Sequence, residues 1–196
     1  MISHKHKCIF VHIPRTAGTY IERLIVGGDW WKKERRTKHL LAGQARRKYA
    51  EHWDEYFKFS FVRNPWSRMG SLKKWNYYGV GKDKDGLKVL KYKRRYGYPI
   101  CLEIDRRFYK RKNLIRPHHK PNTVYGNILD EELDFIGKVE NLEEDLGFVL
   151  DKIKLNAPIK TKKVKKYSLL YSDKVKEEVF DLYKEDIARF GYEFDK

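Results

Sequence analysis

Apolar and polar positions along this chain fall into two rhythms, short solid apolar runs and longer helical stripes. Residues 8–13 form a β-rich apolar run, the pattern of a buried strand. Pro14 ends it, because proline has no N–H to give a neighbouring strand. A short polar turn follows, Arg15-Thr16-Ala17-Gly18-Thr19, and then Ile21, Leu24 and Ile25 resume at helical spacing until Gly27-Gly28. Residues 29–38 carry Trp30 and Trp31 among cations and read as an irregular loop, and residues 39–49 as a short helix. A second strand is expected over 57–62, broken by Asn64-Pro65, with a helix over 66–78.

The second half reads less evenly. Residues 79–99 are rich in Gly, Lys and Tyr with weak periodicity, and read as a surface insertion. Residues 101–114 suggest a basic helix with Ile104, Phe108 and Leu114 inward, and 117–121 a turn-rich loop. A third strand is expected over 135–139. Asn141 and Glu144 then form a capping-box start for a helix with Leu142, Leu146, Val149, Leu150 and Ile153 on one face. After a lysine-rich loop over 157–166, Ser172 caps a last helix whose inner face is Val175, Val179, Leu182, Ile187 and Phe190, and Gly191 stops it. Strands alternating with helices predict a three-layer α/β domain around a parallel sheet.

Composition narrows the partners. With 196 residues the chain is long enough for one well-packed domain and too short for two ordinary ones. Its 44 Lys and Arg against 27 acidic residues give +17, which points to polyanionic or phosphorylated partners and also fits a surface kept soluble by repulsion. The excess concentrates between Lys82 and Lys120, with 14 basic and 4 acidic residues. Cys8 and Cys101 are the only cysteines, so a disulfide framework has no support, and Cys8 reads as a small buried side chain. No run approaches the ~18 apolar residues of a membrane helix, and no signal-like run precedes the first strand. A cytoplasmic location without a membrane span is therefore expected.

Strand, short polar turn, helix is an arrangement that aims backbone N–H groups and a positive dipole end at an anion. The nucleotide-kinase string G-x-x-x-x-G-K-[ST] is absent. Instead, His12-Ile-Pro-Arg-Thr-Ala-Gly-Thr19 resembles the 5′-phosphosulfate loop of sulfotransferases, H-I-P-K-T-G-G-T-S. The stretch Phe59-Ser-Phe-Val-Arg63-Asn-Pro-Trp-Ser-Arg68-Met-Gly-Ser71 resembles the 3′-phosphate motif of the same family, F-x-F-V-R-N-P-x-x-R-x-x-S. Arg63 offers a planar fork that can chelate a phosphate; pairing with a carboxylate at the strand end is the bland reading of this residue alone. The stretches 136–146 and 171–192 resemble later, mainly structural segments of that family, in which Asp186 either holds a basic partner or is solvated. The likeness covers almost the whole chain, weakest over 78–121, and is nearest to the small carbohydrate-type branch.

The resemblance implies a P-loop NTPase-like α/β/α fold with a central, mostly parallel sheet, forming one domain over 1–196 in which 79–121 is a variable basic insertion on the acceptor side. It implies a donor, 3′-phosphoadenosine 5′-phosphosulfate (PAPS), leaving 3′-phosphoadenosine 5′-phosphate (PAP), and no metal. Donor binding falls to Arg15, Thr16, Ala17, Gly18, Thr19 and Tyr20, to Arg63 and Ser71, and to Lys162 and Lys163 in the lysine-rich loop, where a solvated charge run is the alternative. The family's usual loop lysine is Arg15 here. Arginine stays charged and can only hydrogen-bond, so Arg15 is expected to clamp charge rather than give a proton. His39, in a segment resembling the family's "HLTA", is the candidate base, with a helix-decorating role equally open. His12 reads as a loop-stabilising residue, and His118 and His119 as exposed decoration or acceptor contacts. The acceptor is expected to be a hydroxyl, on a glycan by resemblance. A nucleic-acid-binding module, prompted by the charge and by Trp, Tyr and Arg interleaved over 77–109, and a nucleotide kinase are the rival readings.

Overall fold

The computed structural model describes residues 1–73, 78–82, 88–92, 122–161, 171 and 173–195. In chain order its first half contains β1 (Ile2–Ser3), β2 (Cys8–Val11), α1 (Gly18–Val26), α2 (Trp30–Lys33), α3 (Ala42–Lys48), α4 (Ala50–Trp53), β3 (Phe57–Val62) and α5 (Pro65–Lys73). Then come β4 (Tyr78–Lys82), β5 (Lys88–Tyr92), α6 (Tyr125–Ile128), β6 (Phe135–Lys138), α7 (Leu142–Lys152), α8 (Asp173–Leu182) and α9 (Lys184–Phe190). Two compact units divide these, Met1–Arg63 with Ile128–Val164 and Asn64–Asn127 with Lys165–Lys196.

The first unit is built on a four-stranded sheet in the order β1-β2-β3-β6. The β1 edge is antiparallel, while β2, β3 and β6 run parallel, with Val11 opposite Ser60 and Val62 opposite Lys138. A parallel sheet needs apolar residues on both faces, which is why these strands read as solid runs rather than alternations. Cys8, Ile9, Phe10, Phe59, Phe61 and Val62 are all buried, and the Phe10 and Phe59 rings stack across the β2–β3 pair at 5.0 Å. The Ser60 hydroxyl in this apolar strand is satisfied by donating to Val11 O at 2.7 Å. Burial pushes the Cys8 thiol up to about 12, as expected of a packing residue.

Sequence and structure differ in two places here. The expected loop over 29–38 is a short helix, α2, followed by a 3-10 turn at Arg35–Thr37. Asp29 starts α2 by accepting the Trp31 amide at 2.9 Å, and Trp30 anchors it from below by donating its indole N–H to Thr37 Oγ1 at 2.8 Å. Asn141 makes no side-chain cap, because it belongs to a 3-10 turn, Val139–Asn141, that leads into α7. Asp145 turns back instead and accepts the Lys138 amide at 2.5 Å. Most of the expected stripe forms, with Leu146, Val149, Leu150 and Ile153 buried, while Leu142 is only half-buried.

In the second unit, Asn64-Pro65 starts α5. Asn64 Oδ1 accepts the amides of Trp66 and Ser67 at 3.1 and 3.3 Å, and Pro65 fills the first helical position, where no N–H is needed. Residues 79–99, read as a surface insertion with weak periodicity, contain most of an antiparallel strand pair, β4 with β5. The single expected C-terminal helix is two, α8 and α9, separated at Tyr183. Asp186 is not solvated, and among the described residues it is paired to no cation. It is buried, accepts the Thr123 hydroxyl and the amides of Val124, Tyr125 and Gly126, and so caps α6. The helix over 101–114, the Ser172 cap and residues 117–121 lie outside the described residues.

Candidate anion-binding site after the second strand

The loop leaving β2 owes its shape to backbone conformations that L residues rarely adopt. Arg15 and Ala17 both have positive φ, 73° and 61°, and the left-handed region costs a non-glycine residue ~1–2 kcal/mol. Left-handed residues alternating along a turn point successive N–H groups into one concavity, an anion nest. Ala17 is also the N-cap of α1. A helix leaves its first amides without intrahelical acceptors, and here Gly18 and Thr19 hold those places. Tyr20 does not, because its amide turns back to Ala17 O at 2.8 Å.

Side chains lock the loop from beneath. Thr16 is fully buried and donates its hydroxyl to Ile13 O at 2.9 Å, so this hydroxyl staples the turn rather than facing outward. Gly18 lies flat against the His12 ring, and a Cβ there would fall 2.2 Å from His12 Cδ2 and Nε2. Tyr20 Oη accepts the Lys160 amide at 2.6 Å, which ties the start of the lysine-rich segment to the first turn of α1.

Behind the loop lies a buried polar cluster that periodicity alone did not expose. The inward stripe of α1 is Gly18, Ile21, Glu22 and Ile25; Leu24, expected inside, is only half-buried. Glu22 is completely buried and has both oxygens occupied. Oε1 accepts His12 Nδ1–H at 2.6 Å, and Oε2 accepts Lys38 Nζ at 2.8 Å and the Trp30 amide at 3.1 Å. Lys38, 4% exposed, also donates to Asp29 Oδ1 and to Thr19 Oγ1, the latter at 3.3 Å. Burial alone would raise the Glu22 carboxyl, but the donations from His12, Lys38 and Trp30 outweigh it and hold it below the ordinary value. Lys38 likewise lowers Asp29. An acid on the core stripe of a helix was the one available signal for this cluster, since Glu and Lys are almost never fully buried unless paired.

The two histidines sit edge to face, 4.6 Å apart. Burial lowers His12 despite its contact with Glu22. Burial also takes His39 well below 6.5, with His12 adding to the effect. Both rings are therefore neutral at neutral pH. The His39 Nδ1–H donates to His12 O at 3.0 Å, which places the imidazole lone pair on Nε2. His12 matches its expected loop-stabilising role.

Parallel pairing of β2 with β3 brings both strands out at the same end of the sheet, so Arg63, the residue after β3, leaves at the end where the β2–α1 loop lies. Ligands of open parallel sheets bind outside the carboxyl ends of the strands. Arg15 through Tyr20, His39 and Arg63 thus belong to the first unit, whereas Ser71 lies on α5 of the second and is buried. Arg68, matched in the same motif, is a core residue of the second unit. It donates to Tyr183 Oη and lies 5.8 Å from the Tyr125 ring centre. Lys162, Lys163, His118 and His119 lie outside the described residues. Among the described residues no group of three or more His, Cys, Asp and Glu side chains could hold a metal ion, and no helix is long and apolar enough to cross a membrane.

Parallel strands, left-handed residues before a helix start and arginines at the carboxyl ends of two strands define an α/β protein whose β2–α1 loop is a candidate anion site. Residues 1–72, which carry all of these features, match the sulfotransferase family. No curated protein and no solved structure is matched by the chain.

Proposed function

We propose that the chain transfers a sulfuryl group from PAPS to an acceptor hydroxyl, with a glycan as the acceptor class. The observation that carries this is the β2–loop–α1 unit. Its two left-handed residues and the first amides of α1 suit the 5′ end of the donor, and Arg63 at the neighbouring strand end suits the 3′-phosphate. We read residues 1–196 as one P-loop-like, three-layer enzyme domain, with Ser71, Lys162 and Lys163 as further donor contacts and 79–121 on the acceptor side.

The donor set fits a phosphosulfate because it is almost all N–H: the amides of Thr16, Ala17, Gly18 and Thr19, and the guanidinium groups of Arg15 and Arg63. The donor, when bound, supplies the sulfuryl group. Arg15 stabilises negative charge on the leaving oxygen by hydrogen bonding. His39 Nε2 takes the proton of the acceptor hydroxyl as that oxygen attacks, while Nδ1–H stays pinned to His12 O and fixes the ring. His12 is held by Glu22 and keeps the loop backbone in place.

Binding of nucleic acid accounts for the +17 charge but leaves the shaped loop without a purpose. A labelled-sulfate transfer assay from PAPS across glycan, small-phenol and peptide acceptors tests the proposal. Transfer to hydroxylated glycans is the expected result, and no transfer to any acceptor, with intact PAPS throughout, would overturn it.

A further inference from the structure

We infer that Lys38 is a positioning residue that acts on the bound anion through the Thr19 hydroxyl. This rests on the reading of the loop as the donor site and adds a residue to it. An ammonium has three N–H donors and no acceptor capacity. Lys38 directs them at Glu22 Oε2, Asp29 Oδ1 and Thr19 Oγ1.

The consequence falls on Thr19. Its oxygen accepts from a cation, so its own O–H must point away from Nζ. A helical threonine otherwise turns its hydroxyl back onto a carbonyl three or four residues earlier. Lys38 opposes that habit and leaves the hydroxyl as a donor in the first turn of α1, beside the Gly18 and Thr19 amides. Glu22 and Asp29 meanwhile balance the ammonium charge, so Lys38 contributes orientation rather than long-range attraction. The buried cluster is then the support that aims one hydroxyl at the ligand.

The test is a double-mutant cycle on PAP affinity, measured by isothermal titration calorimetry with circular dichroism confirming the fold. Thr19→Val is expected to weaken PAP by about tenfold or more, the effect of one hydrogen bond to a charged group. Lys38→Met is expected to lose affinity in the same direction, and the double variant to bind no more weakly than Thr19→Val alone. Independent, multiplicative losses would overturn the inference while leaving the donor site intact. Failure of the unaltered protein to bind PAP would overturn the donor reading itself and this inference with it. Should Lys38→Met not fold, Glu22→Gln/Lys38→Met, compared with and without Thr19→Val, closes the same cycle without an unbalanced buried carboxylate.

Discussion

Gly18→Ala isolates the packing that holds the anion loop. Gly18 is the first residue of α1 and has ordinary helical backbone, so alanine carries no conformational penalty there. The cost is contact. The added Cβ would lie 2.2 Å from His12 Cδ2 and Nε2 and 2.6 Å from Cε1, where apolar contacts normally settle near 3.5–4.0 Å. The ring cannot swing aside cheaply. It is 3% exposed, stacks on Phe10 at 5.5 Å, meets His39 at 4.6 Å and donates to Glu22 at 2.6 Å. Overpacking of this kind costs ~1–3 kcal/mol, and stretching a hydrogen bond to a buried carboxylate adds ~1.5–3 kcal/mol. Alanine returns up to ~1 kcal/mol of helix propensity. The net loss is about 2–5 kcal/mol, which for a chain of this size lowers Tm by roughly 10 °C. Urea denaturation should show the same loss as a lower midpoint at unchanged slope. Stability within ~0.5 kcal/mol of the parent protein, the range of an inconsequential surface change, would refute the packing argument.

Three other outcomes follow from the same structure. Ala17→Gly relieves a left-handed alanine at φ 61° and should stabilise by ~0.5–1 kcal/mol after the added chain entropy of glycine, read as a small rise in Tm. The depressed His12 and His39 values mean that the unfolded chain binds more protons than the folded one just below pH 6.5. Stability is therefore full above that pH and falls below it, by at most ~1.4 kcal/mol per pH unit for each ring, and a His39→Gln variant should show a shallower fall in denaturation midpoints over pH 5–6.5. Asp186→Ala removes four hydrogen-bond acceptances in the second unit and should cost ~2–4 kcal/mol, visible as early loss of amide protection in α6 and α9.

The strands were legible because a buried parallel strand has a plain signature: 57–62 was read as it stands, and the runs at 8–13 and 135–139 hold β2 and β6. Gly27 and Asn64-Pro65 were legible for a related reason, since positive φ and a proline start leave few residue choices. Polar chemistry inside the fold was not. Glu22 looks like any exposed helical acid until Lys38, sixteen residues on, is seen to meet it. Asp186 was ambiguous because its partners are mainly backbone amides some sixty residues away, which no local pattern encodes. Thr16 and Thr19 are indistinguishable in sequence, yet one hydroxyl faces Ile13 O and the other meets Lys38. Such assignments depend on which elements the topology brings together, so the loop and His12 could be read from the chain while Glu22 and Lys38 could not.

Amide-resolved NMR of the 23.7 kDa chain, titrated with PAP, puts the account to its most direct test. The account predicts that the largest shifts at saturation fall on the Gly18 and Thr19 amides and on the Arg63 side chain, all in one binding event. Saturation with PAP that leaves the Gly18 and Thr19 amides unmoved would contradict it.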